Sequence, residues 1–203
     1  MTVSSESLVY NQEKFIFNFP KQTLGNDEFY EICMENPHLK LERNPDGTVI
    51  IMPNTGGKTG KRNTEITTEL NIWRRKSKSG NTFDSSTAFI FPNGATRSPD
   101  VAWVSDAQWN SLTDSEQEKF PPVSPEFVAE LMSPSDRLRD AKAKMLEYID
   151  NGVQLAWLIN PSEEEVHIYR ADGTIAKVNG FDNILSGENI LPNFEFDLKL
   201  LRQ

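Results

Sequence analysis

The sequence predicts an α/β fold of the mixed α+β kind, a central mixed sheet with a helix on each side. Three observations carry this prediction. The apolar run Phe127 to Met132, the amphipathic stretch to Gly152 and the apolar run Val153 to Asn160 read as strand, helix, strand. That order is a βαβ unit, so its two strands should be parallel. Two turn signatures, Asn44-Pro45-Asp46-Gly47 and Asp172-Gly173, separate alternating runs and mark antiparallel hairpins. A second helix is set by Ile66, Leu70 and Trp73 at i, i+4 and i+7. The 203 residues suffice for one domain with a real core. Residues 1–25 are expected to be a lead-in and residues 26–203 a single domain.

Taken in order, the first 20 residues are polar and mixed, an extended entry. NDEFYEICMENP, Asn26 to Pro37, predicts a short helix capped by Asn26 and stopped by Pro37. The hairpin follows, with Leu39 to Glu42 and Thr48 to Met52 around its turn. NTGGKTGKR is a glycine-rich loop feeding the second helix, which is expected to run to about Ser79 and end at Gly80. Its glycines and lysines do not match the G-x-x-x-x-G-K-[ST] spacing of a phosphate loop. Strands are expected near Thr82 to Asp84 and Thr87 to Phe91, with Pro92-Asn93-Gly94 as a turn. RSPDVAWVS supplies a short apolar strand entered through Asp100, followed by a helical region at Asp106 to Leu112. Ser135 or Asp136 should cap the helix to Gly152, with Leu138, Ala141, Met145, Tyr148 and Ile149 inward. VQLAWLINP is continuously apolar, as in a strand buried on both faces. EEVHIYRADGTIAKV is a second hairpin, and the tail gives short edge strands or loops.

Composition narrows the function classes. Hydrophobic residues make up 37% and charged residues 25%, as in globular domains. No apolar run approaches the ~20 residues of a membrane helix, and MTVSSESLVYNQEKF lacks the basic-then-apolar order of a signal peptide. One cysteine, Cys33, precludes an internal disulfide. With only His38 and His167 beside it, a thiolate or imidazole zinc cluster of standard composition is ruled out. A reducing, cytoplasmic location is expected. The net charge of -9 argues against nucleic-acid binding by the whole surface. Charge is uneven, however. Lys58, Lys61, Arg62, Arg74, Arg75, Lys76 and Lys78 face only Glu65 and Glu69 in their segment. They form either a solvated helix with basic ends or a phosphate-facing surface.

The chemistry-bearing candidates are acids. Pro-Asp occurs twice, little above chance for twelve prolines and twelve aspartates. Asp46 leads into a glycine turn, whereas Asp100 leads directly into an apolar strand. Glu130 is the sole charge within Phe127 to Met132. A carboxylate there either faces solvent or a structural arginine, or faces a second carboxylate and a cation that offset its desolvation. Lys142 and Lys144 flank the apolar face of the next helix on opposite sides, and periodicity does not choose between them. Two acids on adjacent strands beside a lysine suit phosphodiester cleavage. Hard divalent cations take oxygen ligands and retain waters. They lower the pKa of bound water and offset transition-state charge. An ammonium orients water or holds the phosphate as a point charge.

A set of motifs runs in order along the chain. It comprises Leu41-Glu42-Arg43 with Asp46-Gly47, then Asn63, Leu70 and Trp73, then Phe91-Pro92-Asn93-Gly94. Arg97-Ser98-Pro99-Asp100-Val101-Ala102-Trp103-Val104 and Phe127-Val128-Ala129-Glu130-Leu131 into Ser133-Pro134-Ser135-Asp136 follow. Lys144-Met145 with Tyr148, Gly152-Val153, Trp157-Leu158-Ile159, Ile168-Tyr169-Arg170 and Leu191-Pro192-Asn193-Phe194 complete it. Together they resemble the Uma2-type (DUF820) endonuclease family of the PD-(D/E)XK nuclease superfamily, from Glu28 to Phe196. The resemblance implies a restriction-endonuclease-like fold and Mg²⁺- or Mn²⁺-dependent hydrolysis of phosphodiesters, with DNA as the substrate. It implies Asp100 and Glu130 as metal ligands, the Leu131 carbonyl as an added ligand and Lys144 as the catalytic lysine. The usual lysine position is Met132 here, so the lysine is displaced onto the following helix. At Asn63 many relatives present a histidine. Glu65 and Glu69 either lend a third carboxylate from the same helix or are surface charges, with Glu69 closer to the apolar face. A homodimer is expected, since a duplex presents two strands to two sites. Two rivals stand beside this expectation. One is a nuclease-fold protein that no longer cuts and serves as a nucleic-acid-binding or regulatory module. The other is a partner-binding protein that associates through its apolar tail, Ile184 to Leu201.

Overall fold

The computed structural model describes residues 15–17 and 24–202; most of the expected lead-in lies outside them. Two sheets share the work. The first is antiparallel. It holds β1 (Phe15–Phe17), β2 (Lys40–Arg43), β3 (Val49–Met52), β5 (Phe89–Ile90) and β6 (Thr96–Arg97) in the order β1-β3-β2-β6-β5. The second holds β4 (Asn81–Asp84), β7 (Val101–Val104), β8 (Phe127–Leu131), β9 (Leu155–Asn160), β10 (Glu165–Arg170) and β11 (Ile175–Asn179). Its order is β11-β10-β9-β8-β7-β4, and only β8 and β9 run parallel. The two hairpins form as expected, but the Asn44–Gly47 hairpin belongs to the separate antiparallel sheet.

Two long helices clasp the second sheet. Helix α2 (Gly57–Ser77) lays Ile66, Leu70 and Trp73 on the face formed by Val101, Phe127, Ala129, Leu155 and Trp157. Helix α5 (Leu138–Asp150) lays Met145 and Tyr148 on the opposite face, against Ala102, Val128, Ala156 and Leu158. All six residues of β9 are buried, as a strand covered on both sides requires. Helix α1 (Asn26–Glu35) covers the first sheet with Phe29 and Cys33 against Leu41 and Val49.

Several boundaries differ from the sequence expectation. Gly25, not Asn26, is the cap of α1; the Asn26 side chain instead accepts a hydrogen bond from Arg43. Helix α2 ends at Lys78, whose φ of 54° puts it in the left-handed region. Gly80 serves another end, because a Cβ there would lie 2.5 Å from the Trp103 ring and the Val104 carbonyl. Neither Ser135 nor Asp136 caps α5: its cap is Arg137, and Asp136 accepts from the Ser133 amide at 2.7 Å. The helical region expected at Asp106 to Leu112 is the short α3 (Asp106–Trp109), and a second helix, α4 (Asp114–Glu118), forms in the polar stretch beyond it. Helix α4 carries an unanticipated capping box of Thr113 and Glu116.

The tail corrects one rival. Strands β12 (Ile184–Ser186) and β13 (Glu195–Asp197) pair with each other, and a 3-10 turn closes at Leu198–Leu201. Leu185, Leu191, Phe194, Phe196, Leu198 and Leu201 are buried in the same core as Trp73 and Trp157. Phe194 stacks on Trp157 at 5.9 Å between ring centroids. The tail's large apolar side chains are therefore spent on the chain's own core rather than presented to a partner. Ile184, at 60% exposure, and Leu200, at 37%, are the exceptions among the described residues.

Candidate active site

Side-chain alternation along β8 explains why Glu130 can carry chemistry. Phe127, Ala129 and Leu131 face the α2 core, so Val128 and Glu130 face α5. There Lys144 and Tyr148, one helical turn apart, reach the same carboxylate. The Lys144 ammonium lies 2.9 Å from Glu130 Oε1, and the Tyr148 hydroxyl donates to that oxygen at 2.7 Å. Of the two lysines that flank α5, Lys144 enters the site. Lys142 lies on the side of Glu165 and His167, whose charges it influences. Met132, the residue two after Glu130, is buried in the α5-side core, so β8 itself supplies no lysine.

Asp100 meets the same strand end from the neighbouring chain segment. The antiparallel register pairs Val101 with Ala129, which sets Asp100 beside Glu130. Asp100 Oδ2 accepts from the Leu131 amide at 2.9 Å. Asp100 Oδ1 accepts from Asn63 Nδ2 on α2 at 3.0 Å. Leu131 thus approaches Asp100 through its N–H. Glu65 and Glu69 make no hydrogen bond or ion pair with these groups among the described residues; Asn63 is the residue that α2 sends to the site.

A third acid, Glu42, was not foreseen as a site residue. On β2, Leu41 joins the α1-side core, and Glu42 alternates to the other face. It is 4% exposed. Its Oε1 accepts from Lys144 Nζ at 3.1 Å and from the Ser98 amide at 3.1 Å. Arg97 Nη1 lies 3.9 Å from Glu42 Oε2. Lys144 therefore bridges acids from two different sheets. Arg97 is itself fixed by Glu147 of α5, with bonds of 2.8 and 3.1 Å, by the Arg43 carbonyl and by Asn44. The sequence did carry a signal for Glu42. Two opposite charges sit adjacent in Leu41-Glu42-Arg43, inside a strand with a buried neighbour on either face.

Electrostatics separate the two glutamates. Burial pushes the Glu42 carboxyl up, but Lys144, Arg97 and the Ser98 amide outweigh it and leave its pKa below the usual value. Burial also pushes Glu130 up. There the opposing pull of Lys144 and Tyr148 is countered by the Asp100 and Glu42 charges, so its pKa stands above the ordinary carboxylate. Burial alone would lower the Lys144 pKa, yet Glu130 and Glu42 raise it, so the amine is a firm cation. Glu130 is thus short of positive charge even with a lysine on it.

A divalent cation fits this donor set. The groups offered are hard oxygens, and three carboxylates outnumber the nearby cationic side chains. Among the described residues, no three His, Cys, Asp or Glu side chains are arranged to hold a metal ion. Asp100 and Glu130 are the pair at hand, because Lys144 stands between Glu130 and Glu42.

A mixed sheet clasped by helices thus carries two acids at adjoining strand ends and, on α5, a lysine beside one of them. The chain belongs to the Uma2 family, whose model, described as "Putative restriction endonuclease", matches residues 26–199. Its fold is similar to a crystal structure from Anabaena variabilis ATCC 29413, described as a "putative nuclease belonging to DUF820". The TM-score is 0.72, with 19% identity, 88% of this chain covered and 97% of that one. No curated protein matches. Among the described residues, no helix is long and apolar enough to cross a membrane.

Proposed function

We propose that this protein is a divalent-metal-dependent endonuclease that hydrolyses phosphodiester bonds in DNA. The observation that carries this reading is the junction of Asp100, Glu130 and Lys144 at one strand end, with Glu42 holding the lysine from the other sheet. Asp100, Glu130 and the Leu131 carbonyl would hold Mg²⁺ or Mn²⁺. The ion supplies Lewis acidity toward a phosphoryl oxygen and a water of lowered pKa. Tyr148 orients Glu130 by donating to Oε1, which leaves Oε2 unbonded among the described residues. Asn63 and the Leu131 amide orient Asp100. Lys144 has three N–H donors. Glu130 and Glu42 take two, and the third is free to orient a water or a scissile phosphate oxygen.

The basic residues support a phosphate path on one side only. Lys58 and Lys61 are exposed on the first turns of α2, the end that carries Asn63, and that turn holds no acidic residue. Arg75, Lys76 and Lys78 lie about 25 Å away along the helix. Arg62 is already engaged with the Leu201 carbonyl at 2.9 Å. We assign the protein to the cytoplasm and to a homodimer that presents two sites to a duplex, a state that analytical ultracentrifugation tests.

The test is cleavage of supercoiled plasmid, single-stranded DNA and RNA with Mg²⁺ or Mn²⁺ by wild type, Asp100→Ala and Lys144→Ala. Plasmid nicking by wild type and its loss in both variants is expected. Undiminished cleavage by Asp100→Ala would sink the assignment. Met132 at the usual lysine position favours a second reading, a catalytically inactive nuclease-fold module that binds nucleic acid or regulates. Metal-independent binding with no cleavage in any arm would select it.

A further inference from the structure

We propose that the side-chain amide oxygen of Asn63 is a ligand of the divalent cation, completing a set with Asp100 and Glu130. This rests on the metal site argued above and adds a residue from α2 to it. The stripe of α2 that faces the sheet is Thr59, Asn63, Ile66, Leu70 and Trp73, and its other four members are buried. Asn63 is a polar interruption of that stripe, at the end of the helix nearest Asp100.

Its orientation is set by a hydrogen bond: the NH₂ of Asn63 donates to Asp100 Oδ1 at 3.0 Å. That contact leaves the amide oxygen for another partner. Asn63 Oδ1 is buried and has no hydrogen-bond partner among the described residues. A buried carbonyl oxygen left unpartnered is costly. An amide carbonyl is also a hard, neutral ligand of the kind Mg²⁺ and Mn²⁺ accept. The neighbouring carboxylates leave room for it: Glu130 Oε1 is occupied by Lys144 and Tyr148, so the acids alone give few ligands. Asn63 sits one hydrogen bond from a carboxylate assigned to the ion, and its free atom lacks only an electrophile.

The test is calorimetric titration of the substrate-free full chain with MgCl₂ and, separately, CdCl₂. The proteins are wild type, Asn63→Leu, Asn63→Cys and Asp100→Ala, each checked for a native melting transition. Cys33 is buried and common to every arm. Asn63→Leu should weaken Mg²⁺ binding by about ten-fold or more, at least the loss seen for outer partners of metal ligands. Asn63→Cys should weaken Mg²⁺ and strengthen Cd²⁺, raising the Cd²⁺-to-Mg²⁺ affinity ratio at least about ten-fold, because a thiolate is a soft ligand. A residue that only orients Asp100 would leave that ratio at the wild-type value, and this result overturns the proposal. So does Mg²⁺ binding that needs Asp100 but is unchanged in Asn63→Leu, which spares the metal site itself. Mg²⁺ binding that is absent from wild type, or indifferent to Asp100→Ala, overturns the site and this inference together.

Discussion

At the residue scale, Lys144 is held by unequal partners, and the inequality can be measured. Glu42 is almost wholly enclosed, and its carboxylate takes Lys144 and Ser98, with Arg97 close by. Glu42→Gln leaves two buried cations short of a charge, a loss of about 3 kcal/mol or more. Tyr148→Phe removes one hydrogen bond to a charged acceptor, about 1.5–3 kcal/mol. Urea denaturation should therefore rank Glu42→Gln as the more damaging change; the reverse order would mean that Glu42 is not the anchor of the lysine. His167 gives a pH prediction of definite sign. Burial lowers its pKa below the ordinary 6.5, Lys142 and Lys177 add to this, and Glu165 opposes them. The unfolded chain then takes up the proton first, so stability is lost as pH falls from 6.5 toward the folded-state value. The stability gap between wild type and His167→Gln should narrow as pH falls from about 7.5 to about 5.5. A gap that does not change with pH would contradict a depressed pKa.

At the element scale, α5 is tied to the first sheet through Arg97, and this joint places Lys144 between its two acids. Arg97 is 6% exposed and holds Glu147, the Arg43 carbonyl and Asn44 at once. Arg97→Met should cost about 3–5 kcal/mol, since it leaves buried partners uncompensated. Arg97→Lys should recover only part of this, because an ammonium cannot reproduce the forked contact with Glu147. Thermal melts of the two variants check the ranking, and equal melting of Arg97→Lys and wild type would show that the fork is dispensable. The sequence made α5 legible through its apolar stripe, and β8 and β9 through their unbroken apolar runs. It made Asp100, Glu130 and Lys144 legible as candidates, with family resemblance choosing Lys144 over Lys142. It marked Glu42 only as a charge beside Arg43 in a strand and did not show its role at the site, because its partners Lys144 and Arg97 lie 102 and 55 residues away and belong to other elements. Strand β6 was missed for a similar reason: Thr96–Arg97 has only two residues, and pairing with β2 and β5 rather than local pattern defines it. The cap of α5 was missed because Asp136 spends its carboxylate on the Ser133 amide before the helix begins.

At the scale of the whole molecule, the C-terminal tail is a structural wall of the domain. It shares the α2 side of the second sheet, so the helix that delivers Asn63 to Asp100 packs against both the sheet and the tail. Arg62 reaches the Leu201 carbonyl and Trp73 donates to the Pro192 carbonyl at 2.9 Å, fastening the two ends of that helix to it. Leu185, Leu191, Phe194, Phe196, Leu198 and Leu201 contribute about 1.5–3 kcal/mol each when buried. Together these rival the whole stability of a domain, about 5–15 kcal/mol. Removing residues 184–203 should therefore abolish the cooperative melting transition and, with it, metal binding and cleavage. The point variant Leu191→Ala should keep the transition and lose about 2–5 kcal/mol. Calorimetry and near-UV circular dichroism on both proteins decide the matter. A truncated chain that still melts cooperatively and still cleaves would show that the tail is an appendage, and would return it to the role of an association surface.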